Sequence, residues 1–120
     1  MYQIMKTLIK VEEAAQFIVT IILFNQLPFA WWIFPALLLS PDLSMLGYAL
    51  GNKAGAFFYN LFHHKALAVV IGLVGYWLVS DQLLLAGIIL YAHSSMDRML
   101  GYGLKLNTGF KFTHLGEIGR

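Results

Sequence analysis

Four long apolar stretches make up most of this chain, and every one of them carries at least one ionisable side chain. Glu12 and Glu13 lie in the first, Asp42 in the second, His63 and His64 in the third, and His93 and Asp97 in the fourth. A helix of roughly 20 mostly apolar residues covers the core of a bilayer. An ionisable group held in hydrocarbon is costly enough to mark a functional site by default. The pattern therefore constrains both the environment and the position of the chemistry.

The spacing of breakers sets the expected spans at about 6–24, 29–50, 54–79 and 83–100, followed by a polar, glycine-rich tail over 101–120. Asn25-Gln26-Leu27-Pro28, Gly51-Asn52-Lys53 and Ser80-Asp81-Gln82 separate them, while Pro35 and Pro41 fall inside the second. Only 12% of the residues are charged and 59% are hydrophobic, against about 25% charged in a soluble domain. Lipid is the solvent this composition suits. The expected fold is all-α: one domain over 1–120, a polytopic membrane protein with four transmembrane helices in an antiparallel bundle. The N-terminus lacks a small-residue cleavage site and reads as a retained first helix, not a signal peptide. There is no cysteine, which excludes disulfides and thiolate metal sites.

Alternating spans put Lys6, Lys10, Lys53, Lys105, Lys111 and Arg120 on one side and no Lys or Arg on the other. Such a bias sets orientation, so both termini are expected to be cytoplasmic. The positive charges sit at segment ends with no basic stripe, which gives no reason to expect a nucleic-acid partner. Trp31, Trp32, Tyr76 and Trp77 fall near span ends, as an aromatic belt would.

At about 1.5 Å of rise per residue, Asp42, His63 and His93 all fall about 10–13 Å from the cytoplasmic ends of their spans. This shared depth points to a single site. His93 and Asp97 are four residues apart and share a helix face, a spacing that suits two ligands on one metal or a carboxylate orienting an imidazole. The bland alternative is a satisfied pair inside a bundle. His63 is favoured over its neighbour His64 as the inward histidine, with Asn60 on a shared face. Asp42 follows Pro41, which can break the span, and irregular backbone at depth is tolerated where it lines a cavity. Either Glu12 or Glu13 can reach the site while the other meets the interface. His114, in the tail, is a candidate lid residue. Lys65 and Arg98 are the basic residues within the spans; Arg98 is expected at the headgroups, leaving Lys65 to balance the acids. Asp42, His63, His93 and Asp97 are thus the primary candidates as metal ligands and catalytic groups. Glu12, Glu13, Asn60, His64 and His114 stand behind them. Imidazoles and carboxylates together suit a divalent ion such as Zn²⁺, Mn²⁺ or Fe²⁺, and composition does not select among these.

The strings WWIFPALLLSPDLSMLGY, NKAGAFFYNLFHH, YAHSSMDRMLGYGLK and TGFKFTHLG resemble a bacterial four-helix membrane family known as a domain of unknown function. The resemblance implies a multi-pass location in the bacterial inner membrane. A weaker likeness is to the membrane-bound metal-dependent hydrolases: an aspartate after proline (Asp42), a histidine in a following helix (His63 or His64), and a late histidine with a downstream aspartate (His93, Asp97). The chain departs from that pattern at Ser44 and Lys65. Three function classes follow: a divalent-metal-dependent hydrolase acting on a membrane-accessible substrate, a non-catalytic protein handling protons or a small ion, and a structural or partner-binding membrane protein. Membrane lipids are the expected surroundings, and a homo-oligomer is plausible because four short helices enclose little space.

Overall fold

The computed structural model describes residues 2–41, 50–100, 112–113 and 116–117. Within them the chain is helical: α1 (Tyr2–Asn25), α2 (Ile33–Leu38), α3 (Asn52–Phe62), α4 (Lys65–Trp77) and α5 (Asp81–Met99). A two-residue antiparallel pair follows, β1 (Phe112–Thr113) and β2 (Gly116–Glu117), with Phe112 opposite Glu117. Asp42 and His114 lie outside the described residues.

α5 is the centre of the bundle, packed against α1, α2 and α4. Two glycines explain its closeness to α4. A Cβ on Gly75 would stand 2.6 Å from the backbone nitrogen of Leu84, and one on Gly87 would stand 2.7 Å from the carbonyl oxygen of Ala68. Small residues at these points let the backbones approach. The α4–α5 turn is closed by a Schellman arrangement. Ser80 N–H donates to the Gly75 carbonyl (2.8 Å) and Val79 N–H to that of Tyr76 (3.3 Å), with Val79 at φ 51° in the left-handed region. Ser80 then caps α5, its hydroxyl accepting from Leu83 N–H.

The interior divides in two along α5. Towards its N-terminus, Phe24, Phe34, Ile89 and Ala92 form an apolar core, with Phe34 edge-on to both Phe17 and Phe24. Towards its C-terminus the buried residues are polar: Glu13, His63, His93, Ser94, Ser95 and Asp97.

The helices correct two of the expected spans. The first and fourth coincide with α1 and α5. The expected span over 29–50 contains only the short α2 among its described residues. The expected span over 54–79 is not one helix: it breaks at His63–His64, and α3 and α4 meet at 45°. Among the described residues no single helix is long and apolar enough to cross a membrane, whereas the bent α3–α4 pair is, by length and composition.

Candidate metal centre

The break between α3 and α4 builds one half of the site. His63 caps the end of α3, and His64 turns extended to cap α4, its Nδ1 accepting from Ala66 N–H at 3.1 Å. Ending a helix frees carbonyl groups that need donors. The His63 carbonyl finds them on α5: Ser94 Oγ donates at 2.7 Å, and both Arg98 terminal nitrogens lie at 3.4 Å. Arg98 also donates to the Ser94 carbonyl at 3.1 Å. The expectation that Arg98 reaches the headgroups is therefore replaced. It turns inward, because the broken helix offers it acceptors.

α5 supplies the other half. His93 and Asp97 lie one turn apart, and His63 approaches from α3. His93 Nδ1 lies 2.7 Å from the Leu38 carbonyl, and His63 Nδ1 lies 2.9 Å from the Tyr59 carbonyl. A carbonyl only accepts, so each Nδ1 carries the hydrogen, and in the neutral ring Nε2 is left as a lone pair. Both Nε2 atoms lie 3.4 Å from the same oxygen, Asp97 Oδ2. Three ligand atoms, one from each residue, all fall within 4.8 Å of one another. The residues are closed to solvent, at 1%, 0% and 6% exposure for His63, His93 and Asp97.

Lone pairs aimed at a carboxylate repel unless something positive lies between them. A tetrahedral ion with bonds of about 2.0–2.1 Å places its ligands roughly 3.3–3.4 Å apart, which matches the two Nε2–Oδ2 separations. The His63, His93 and Asp97 cluster can hold a metal ion. Its outer partners are those a metal site needs, since each imidazole is fixed through its other nitrogen. Tyr59 adds a further support: its hydroxyl donates to Asp97 Oδ2 at 2.8 Å. Its ring stacks on His63, with centroids 3.8 Å apart and planes 8° from parallel.

A second polar cluster lies between α1 and the start of α4. Lys65 donates to Glu13 Oε2 and, at 2.6 Å, to Gln16 Oε1. Tyr91 donates to the same Gln16 oxygen at 2.7 Å, and the ammonium sits 5.3 Å from the Tyr91 ring centroid. Of the two glutamates, Glu13 is thus the buried one, and it meets Lys65 instead of the His/Asp group; Glu12 is exposed. His64 is exposed, and it lines an outer groove with Asn60.

Sequence reasoning brought together His63, His93 and Asp97 and preferred His63 to His64. It missed Tyr59 and Ser94, and it named Arg98 but sent it to the headgroups. Tyr59 stands four residues before His63, the same spacing that marked His93 and Asp97. Ser94 and Arg98 had no comparable signal, because their acceptor exists only where the helix breaks.

The chain belongs to the family described as domain of unknown function (DUF4260), whose model matches residues 6–118. No curated protein and no solved structure matches it significantly.

Proposed function

We propose that this is an integral membrane protein whose buried His63–His93–Asp97 group binds a divalent metal ion and uses it to hydrolyse a membrane-accessible substrate. The observation that carries the reading is the pair of 3.4 Å separations between two Nδ1-anchored imidazoles and one carboxylate oxygen. Among the described residues His63, His93 and Asp97 would hold the ion, and a bound divalent cation would lower the pKa of a water it carries towards neutrality. The protein's own residues hold the geometry: Leu38 and Tyr59 carbonyls fix the imidazoles, and the Tyr59 hydroxyl fixes Asp97.

The membrane part of the reading rests on an inverted surface. Ile4, Leu8, Val11, Ile18 and Ile22 on α1 are exposed, as are Val70 and Leu73 on α4, while His, Ser and Asp residues are buried. Buried histidines and serines beneath exposed branched aliphatics support a lipid-facing surface. Trp31, Trp32, Tyr76 and Trp77 are also exposed, at positions suited to the interface. The bent α3–α4 pair serves as a broken span, tolerated because its freed carbonyl is bonded from α5. We keep both termini on the cytoplasmic side of a bacterial inner membrane from the charge bias alone, a topology that also requires the stretch over 29–50 to cross.

The test is elemental analysis of protein purified from the membrane fraction, wild type beside His93→Ala, Asp97→Asn and Tyr59→Phe. Stoichiometric metal is expected in wild type and is lost in His93→Ala and Asp97→Asn. Tyr59→Phe retains the ligands but binds more weakly, because Asp97 loses a donor. Metal-free wild type whose melting is unmoved by excess chelator overturns the proposal. A proton-relay reading would then stand, favoured by the Tyr59 hydroxyl donating into Asp97.

A further inference from the structure

A groove of about 640 Å³ follows α3 and the start of α4, on the side of the bend that presents His64 and not His63. Three of its lining residues are polar: Lys53 at the start of α3, Asn60 in its last turn, and His64 at the break. The rest is apolar, with Phe57 and Leu61 on α3 and Leu67 and Val70 on α4. Lys53, Phe57, Leu61, His64 and Val70 are all exposed. The groove therefore has a cation at one end, hydrogen-bonding groups in the middle, and aliphatic walls at the other end. His64 Nδ1 is already committed to Ala66 N–H, so the neutral ring carries its hydrogen on Nε2 as a free donor.

We propose that this groove is a binding site for one anionic phospholipid. The anionic headgroup is recognised between Lys53 and His64, and an acyl chain by Leu61, Leu67 and Val70. Charge complementarity selects the occupant: among the described residues the groove contains a lysine and no acid, whereas a purely apolar partner would leave Lys53 and His64 facing hydrocarbon. Lys53 also belongs to the basic side of the chain, where an anionic leaflet attracts juxtamembrane lysines. The site lies one residue from His63, so the lipid braces the outside of the break whose inside forms the metal centre. This inference rests on the membrane reading of the chain.

The experiment is thermal melting of the purified full-length protein in neutral detergent. It is titrated in parallel with phosphatidylglycerol, phosphatidylcholine and inorganic phosphate. Phosphatidylglycerol is expected to raise the midpoint at concentrations where the other two do not. Lys53→Gln should weaken the apparent affinity ~fivefold, the contribution of a single lysine near an anionic surface. His64→Asn, which retains an acceptor to cap α4, should weaken it further in combination. Lys10→Gln, on exposed α1, should leave the titration unchanged. Equal stabilisation by phosphatidylcholine, equal stabilisation by inorganic phosphate, or an unchanged titration in Lys53→Gln overturns the proposal. If the protein partitions with membranes and yet shows no lipid preference, the groove assignment fails while the membrane reading stands. Recovery in the aqueous phase overturns both.

Discussion

Gly72 and Gly87 face each other across the α4–α5 crossing, and the same substitution at each should have opposite effects. A Cβ on Gly87 would lie 2.7 Å from the Ala68 carbonyl oxygen, 2.7 Å from the Gly72 nitrogen and 2.9 Å from the Gly72 Cα. All three are backbone atoms of α4, so no side chain can swing aside. The helices must separate by a few tenths of an ångström or more, over a contact that includes buried Ala68. Overpacking of this kind costs about 1–3 kcal/mol, and alanine's better helix propensity returns only about 0.8–1.0 kcal/mol. Gly87→Ala should therefore destabilise by up to about 2 kcal/mol. A Cβ on Gly72 meets nothing within 4 Å, so Gly72→Ala should be neutral or stabilising by up to about 1 kcal/mol. Melting midpoints of the two variants beside wild type would decide it. Separation of α4 from α5 also draws His63 away from His93 and Asp97, so Gly87→Ala alone should lose metal affinity. Equal shifts in the two variants, or a Gly87→Ala that melts at or above wild type, would refute the close-crossing argument.

Two further outcomes follow from local geometry. Lys65→Met strands buried Glu13, whose side chain is 9% exposed, and should cost about 3 kcal/mol in denaturant unfolding; adding Glu13→Gln should recover much of that loss, and its failure to do so would show that the pair is not the cause. Val79 holds a left-handed conformation at φ 51°, which is unfavourable for a β-branched residue by about 1–2 kcal/mol. Val79→Gly should therefore raise the melting midpoint, and a lowered one would mean that the valine side chain contributes more than its backbone strain costs.

How much of this was legible in the sequence depends on the range of each signal. The lengths of α1 and α5 follow from apolar runs bounded by polar breakers, and both were anticipated. The pairing of His93 with Asp97 is a local helical spacing and was equally visible. His63 and His64 part because His63 ends one helix and His64 begins the next. The break itself was missed. Nothing in FHHKAL is a strong helix breaker, and neither Gly nor Pro is present. What permits the interruption is tertiary: Ser94 and Arg98 on α5 satisfy the carbonyl that the break exposes. The Glu13–Lys65 pair is also tertiary, joining residues 52 apart in sequence, and helical periodicity carries no information at that range.

The two polar clusters differ in how their charge is closed, and this difference directs attention to the His/Asp group. In the first, Glu13 and Lys65 neutralise each other, and Gln16 and Tyr91 complete the bonding. In the second, Asp97 is buried against two imidazoles and a phenol, all neutral in their ordinary forms. The basic residue nearest it in sequence, Arg98, is committed to the carbonyls of His63 and Ser94. Among the described residues no lysine or arginine forms an ion pair with Asp97. A buried carboxylate is stabilised by a positive species beside it. The anchored Nδ1 atoms leave two places for it: protons on one or both Nε2 atoms, or a single cation between them and Oδ2. Protons would make Nε2–H···Oδ2 hydrogen bonds, which prefer about 2.7–2.9 Å when both partners are charged. Both separations are 3.4 Å, longer than strong charged hydrogen bonds, and the three ligand atoms lie within 4.8 Å of one another, close enough to share one ion. The cluster could hold such a cation, and chelation is the perturbation that separates it from the proton.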